Sequence, residues 1–387
     1  MDKRKLHIMT RQGLDQLFEL LAQANYTIIG PTVREGAMVY AQISSTKELP
    51  MGWSDYQEPG HYSLEHRGHN HYFAFVPGAD SWKRFLFPPR ICMFAAVRNG
   101  GPETPFKVEV LPRETGRMPP RYAFVGVRAC ELAAIAIQDK VITSEIQDPY
   151  YKQAREQAFI VAVNCVEPGR TCFCASMGTG PKCNRDFDLC LTELNGELSI
   201  EVGSEKGAAL FRKLPVREAS PSECRLHDLL LERAREHMGR TLDTDGLPEL
   251  LAQNLESPHW ERIAKRCLAC GNCTMVCPTC FCYNVHDHTD LSGKRAERWR
   301  LWGSCFTLEF SYLGSHTIRT EGFSRYRQWM THKLMSWHEQ FGSSGCVGCG
   351  RCITWCPVGI DITEEAAAFR QPPPVYPTNT SHKKSRL

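Results

Sequence analysis

The sequence predicts an α+β chain: an N-terminal α/β domain over residues 1–250, a C-terminal α-helical domain over 251–368 and a disordered tail over 369–387. Three observations carry this. A strand, helix, strand pattern runs between Tyr122 and Val163. A four-cysteine run closed by proline occurs twice after residue 260. The end of the chain, from Gln371-Pro-Pro-Pro-Val-Tyr-Pro to Ser381-His-Lys-Lys-Ser-Arg-Leu, has little apolar surface to bury.

Taken in order, Arg11 to Gln23 reads as an amphipathic helix with Leu14, Leu17, Phe18 and Leu21 on one stripe. Tyr26–Ile29 and Ala37–Ile43 read as strands around Gly36. Residues 46–82 predict an irregular or hairpin region. It holds His61, His66, His69 and His71, which lack a regular metal-ligand spacing. Tyr122–Val127 and Ala158–Val163 are apolar, β-branched runs flanking a helix-like stretch, Glu131 to Ile137. They predict a βαβ unit with parallel strands. Cys130 and Cys165 then fall at strand carboxyl ends, where α/β sheets place their sites. Cys172 and Cys174 follow on the next loop. A third metal cluster on Cys130, Cys165, Cys172 and Cys174 is one reading, with Cys183 able to replace any of them. Buried free thiols are the other. Arg225–His237 predicts a further helix. The domain boundary is expected in residues 240–256, before a helix capped by Ser257-Pro258 that leads into the first cysteine run.

That run is Cys267-Leu-Ala-Cys270-Gly-Asn-Cys273-Thr-Met-Val-Cys277-Pro278, and the second is Cys346-Val-Gly-Cys349-Gly-Arg-Cys352-Ile-Thr-Trp-Cys356-Pro357. Each reads C-x2-C-x2-C-x3-C-P, the ligand run of a two-cluster ferredoxin, in which the fourth cysteine ligates the other cluster. The spacing therefore predicts one [4Fe–4S] cluster on Cys267, Cys270, Cys273 and Cys356, and a second on Cys346, Cys349, Cys352 and Cys277. Gly271 and Gly350 are expected to let bare backbone approach the inorganic sulfides. Structural zinc usually takes separated cysteine pairs, so these unbroken runs disfavour it.

Roughly 70 residues separate Cys277 from Cys346. This interval holds Trp299, Trp302, Tyr326, Trp329 and Trp337 and predicts a helical insertion covering the clusters, as in α-helical ferredoxins. From Leu291 to Gln340 it carries eight Lys/Arg against four acids. That surplus reads either as tuning or docking charge beside anionic clusters or as a solvated face. Thr171-Cys172-Phe-Cys174 recurs as Thr279-Cys280-Phe-Cys282. Cys280, Cys282 and Cys305 form a spare trio of undecided role.

The 19 cysteines without an export signal predict metal ligation in a reducing cytoplasm. No apolar run reaches the ~18 residues of a membrane span. The net charge of +3 makes no case for nucleic acid. There is no G-x-G-x-x-G after a strand and no P-loop.

On Gly126-Val-Arg-Ala-Cys130-Glu-Leu, Asn164-Cys165, Thr171-Cys-Phe-Cys174, Cys267 through Cys282, Gly303-Ser-Cys305 and Cys346 through Asp361, the chain resembles the β subunits of sulfhydrogenase-type cytoplasmic [NiFe] hydrogenases and their relatives, the corresponding iron–sulfur subunits of anaerobic sulfite reductases. The likeness spans about residues 120–365. It implies an electron-transfer subunit rather than a catalytic one, in a hetero-oligomer with a flavin/NAD(P)-binding subunit and with the catalytic subunits of a [NiFe] hydrogenase or of a sulfite reductase. A self-sufficient flavin-dependent oxidoreductase is the alternative from another class.

Overall fold

The computed structural model describes residues 5–101, 103–109, 119–145 and 147–371. Helices and sheets are both present, and the fold is α+β. Residues 372–387, which hold nearly all of the expected tail, lie outside the described residues.

The larger sheet has eight strands in the spatial order Val216–Glu218, His7–Met9, Glu197–Val202, Leu189–Leu194, Phe159–Val163, Tyr122–Val127, Thr27–Arg34 and Ala37–Gln42. Its four inner neighbours, from Leu189–Leu194 to Thr27–Arg34, run parallel. The outer pairings are antiparallel. Phe159–Val163 is buried along its whole length, as a parallel strand covered on both faces must be. Alternation sorts its neighbours: Val125 and Val161 pack with Leu14, Leu17, Phe18 and Leu21 of the Arg11–Gln23 helix. Phe124 and Ile160 pack on the other face with Leu132, Ile135, Tyr151 and Ala154. The βαβ crossover contains two helices, Ala129–Ile142 and Pro149–Gln157, where one was expected.

The pairing of Tyr122–Val127 with Phe159–Val163 slips between Val125 and Val127. Gly126 sits there with φ +96°, and an added Cβ would lie 3.2 Å from Pro31. The bulge turns the chain just before Arg128-Ala129-Cys130.

The cysteine-rich region corrects the expectation of a helical insertion. Tyr283–Thr289 and Arg295–Trp302 form a β-hairpin, and the second strand pairs with Arg90–Val97. The Asp290 carboxylate accepts from the Lys294 and Arg295 N–H groups and from Ser292 Oγ, and Gly293 adopts φ +66°. Those turn contacts set up the hairpin locally. Its stabilising partner lies some 200 residues upstream, outside the reach of a local reading. Helix resumes only at Gly322–Thr331, widens into a π-helical segment at His332–Ser336 and ends with Trp337–Phe341.

Elsewhere, Trp53–Glu58 and His61–His66 form the expected hairpin. Its histidines do not assemble into a metal site: among the described residues no three His, Cys, Asp or Glu side chains converge on a single ion. His69 instead meets Ser54 Oγ at 2.9 Å. The helix expected at Arg225 begins earlier, at Pro221, because Ser220 and Glu223 close a capping box. Leu242, Leu247 and Leu251, from the segment expected to hold the boundary, pack with Trp260, Trp329 and Leu334, and Phe173 joins them from the N-terminal half.

Candidate iron–sulfur centres

The two cysteine runs fold into the same loop twice. Ala269 and Gly348, the residues before the second cysteine, have φ of +50° and +64°. Gly271 and Gly350, the residues after it, have φ of +79° and +77°. A short helix follows each, Asn272–Met275 and Arg351–Thr354. In each loop a backbone N–H, Ala269 or Gly348, donates to the sulfur of the first cysteine at 3.4 Å. The shared geometry aims one peptide dipole in each loop at the sulfur of its first cysteine. The glycines have a second reason to be glycine besides the one expected. A Cβ on Gly350 would meet the Thr171 carbonyl at 2.5 Å, and one on Gly271 would meet Ser304 Oγ at 2.9 Å.

The loops line two cavities. The upstream one is walled by Cys267, Cys270 and Cys273 together with Cys356, and closed by Phe306, Tyr326 and Trp329. The downstream one is walled by Cys346, Cys349 and Cys352 together with Cys277. The fourth cysteine of each run thus faces the other run's cavity. Burial pushes the Cys346 thiol up to about 12 and raises Cys273 and Cys352 well above the ordinary thiol range. Such thiols stay protonated unless a metal replaces the proton. That donor set of eight sulfurs, with Cys277 buried and Cys270 at the surface, spread round two voids rather than gathered on a point, fits cubanes better than single zinc ions.

Cys277 differs. A hydrogen bond from Cys280, the Lys333 ammonium and the Thr279 hydroxyl hold its thiol well below the ordinary value. Lys333 is 5% exposed and lies 3.2 Å from Cys277 Sγ and 3.1 Å from Thr279 Oγ1. Lys83, equally buried, donates to the Cys277 and Cys280 carbonyls at 3.0 and 3.2 Å and stands 3.8 Å over the Trp302 ring. Neither lysine has a carboxylate partner among these contacts. Two buried ammonium groups without carboxylates call for anionic sulfur nearby.

Sequence reasoning missed both lysines as site residues. Lys333 stood among the basic surplus, which divides between the two readings. Lys333 is buried at the cysteines, and Arg300 is buried against Asp148. Arg298 and Arg327 make surface pairs with Asp287 and Glu256. Lys83 carried no local signal at all.

Replacing Lys333 with Met should lower the reduction potential of a cluster in the downstream cavity. An ammonium favours the more negative, reduced state, so its removal disfavours reduction. A hydrogen bond to a charged group contributes about 1.5–3 kcal/mol. For a one-electron couple that corresponds to roughly 60–130 mV. A redox titration followed by electron paramagnetic resonance reads the shift, and an unmoved midpoint counts against the contact.

Of the remaining candidates, Cys130, Cys165, Cys172 and Cys174 come together at the end of the large sheet, and Cys183, also near Cys165, packs into the core with Phe187 and Cys190. The Thr171–Cys174 loop is stapled to the second cysteine loop. The Phe173 N–H donates to Gly348 O at 2.8 Å, and Thr179 Oγ1 donates to Val347 O at 2.7 Å. In the spare trio, Cys280 lies beside Cys277, and Cys282 and Cys305 neighbour one another.

Residues 266–360 match the family model of the 4Fe-4S dicluster domain. Over 282 residues the chain is 33% identical to sulfhydrogenase 2 subunit beta of Pyrococcus furiosus, a span covering 72% of this chain and 79% of that one. No solved structure matches. Among the described residues no helix is long and apolar enough to cross a membrane. With the twin cysteine loops and this extent of shared sequence, the chain belongs to the sulfhydrogenase β-subunit family of iron–sulfur, electron-transport proteins.

Proposed function

We propose that this chain relays electrons within a hetero-oligomeric cytoplasmic oxidoreductase, between a flavin/NAD(P) subunit and a [NiFe] hydrogenase module. Cys267, Cys270, Cys273 and Cys356 hold one [4Fe–4S] cluster, and Cys346, Cys349, Cys352 and Cys277 hold the other. The observation that carries the reading is the adjacency of the two cysteine-lined cavities, with Cys352 in the wall of both. Clusters bound there supply one-electron transfer. The chain's own part is to fix the centres side by side, exclude water with Phe306, Tyr326 and Trp329, and offset their charge with Lys333 and Lys83.

Anaerobic isolation from the native extract, followed by mass spectrometry of stoichiometric partners, tests the assignment. A nickel-containing large subunit with a flavin subunit is expected. A sirohaem protein in their place would move the relay to sulfite reduction. The absence of any stoichiometric partner would overturn it in favour of a self-sufficient oxidoreductase.

A further inference from the structure

We propose that a third [4Fe–4S] cluster sits at the carboxyl end of the large sheet, held by Cys130, Cys165, Cys172 and Cys174 and placed next to the downstream cavity. The inference deepens the relay reading and rests on it.

The topology makes the site. Tyr122–Val127 and Phe159–Val163 are adjacent parallel strands, and Cys130 and Cys165 follow their carboxyl ends. The loop after Cys165 folds back, closed by the Cys165 N–H on Pro181 O at 3.2 Å, and returns Cys172 and Cys174 to the same place. Gly180 leaves the room for this: a Cβ there would lie 2.8 Å from Cys174 Sγ. Cys174 lies within electrostatic reach of Cys130, Cys165 and Cys172, and Cys165 is within reach of Cys183 as well.

Charge supplies the independent observation. Arg128 and Arg351 are 3% and 1% exposed, the first beside Cys165 and the second beside Cys130. Glu131 pairs with Arg351, and Glu193 lies near Arg128. Even so, Arg128 Nε and Arg351 Nη1 are buried without a hydrogen-bond partner. Arg351 is already paired with Glu131 and also faces Cys349, so the spare donor that speaks for this site is Arg128 Nε, buried beside Cys165 and short of an acceptor. A cubane supplies one: each thiol gives up its proton and binds one iron of a [4Fe–4S]2+ core, and the ligated unit is a dianion. A single zinc ion would give the same charge, but no three of these groups converge on one point.

The position also continues the relay. Cys172 Sγ lies 3.7 Å from the Cys349 carbonyl, in the wall of the downstream cavity. The proposed site therefore adjoins the downstream cavity, which in turn shares Cys352 with the upstream one.

The test is iron and acid-labile sulfide per chain on anaerobically purified full-length protein, with electron paramagnetic resonance of the reduced form. The expectation is about twelve irons in the native chain, about eight in Cys174→Ala and in Cys165→Ala, and about twelve in Cys183→Ala. The signals of the two C-terminal clusters should persist in all three variants. Eight irons in the native chain, one zinc in place of the extra four irons, or twelve irons retained in both ligand variants would overturn the third site while leaving the two-cluster relay intact. Loss of more than about four irons from both ligand variants would overturn it as an independent site. Fewer than eight irons in the native chain would instead sink the relay itself.

Discussion

Cys356→Ala is expected to remove about four irons from the chain, and to expose cysteines some 80 residues upstream of the substitution. Cys356 faces the cavity of Cys267, Cys270 and Cys273, not that of its own run. Without it, the upstream cluster has three protein ligands and one open iron. The apolar wall of Phe306, Tyr326 and Trp329 then faces a void, which should lower the thermal midpoint as well, because cluster binding is also folding free energy. Thiol alkylation with peptide mapping locates the damage. Cys267, Cys270 and Cys273 should become reactive while Cys346, Cys349 and Cys352 stay protected. The reverse pattern would refute the crossed arrangement.

Glu131→Gln should be the most destabilising conservative change in the large-sheet half. The Glu131 carboxylate is 1% exposed and receives Arg351 Nη2 at 2.6 Å, Tyr40 Oη at 2.8 Å and Trp82 Nε1 at 2.9 Å. It thereby ties the hairpin of the sheet edge, the crossover helix and the second cysteine loop to one charge. An amide of the same shape keeps two of these bonds but leaves the Arg351 guanidinium buried without its counter-ion. Removing one partner of a buried pair costs about 3–5 kcal/mol. Denaturant unfolding of the variant should show that loss. Because Arg351 lies two residues beyond Cys349, the downstream cluster should also be released earlier in the transition. A change below about 1 kcal/mol, the scale of a surface pair, would remove Glu131 from this role.

The cysteine pattern made the two loops and their cavities legible from sequence because ligand spacing is a local property: two residues between sulfurs leave the loop few ways to close. The Arg11–Gln23 helix was legible for the same reason, its stripe of Leu14, Leu17, Phe18 and Leu21 being periodic. What escaped was set by distant partners. Tyr283–Trp302 is a hairpin because Arg90–Val97 pairs with it. Its tryptophans do not cover the cysteine cavities: Trp299 stacks under Arg90 and Trp302 under Lys83. Lys83 and Arg351 carried no signal, and Lys333 stood in a basic surplus with two open readings, since burial of a charge depends on sulfur or carboxylate supplied from elsewhere in the chain.

The crossed placement of Cys277 and Cys356 also has a consequence for how the protein is made. A ribosome releasing this chain from its N-terminus exposes Cys267, Cys270 and Cys273 long before their fourth ligand exists. Cys277 likewise waits for Cys346, Cys349 and Cys352. During synthesis the downstream centre must wait until the chain has emerged through residue 352, and the upstream centre until it has emerged through residue 356. On the proposed crossed ligation, iron delivery is a late step of maturation, and a product truncated anywhere between the two runs leaves both centres unfinished.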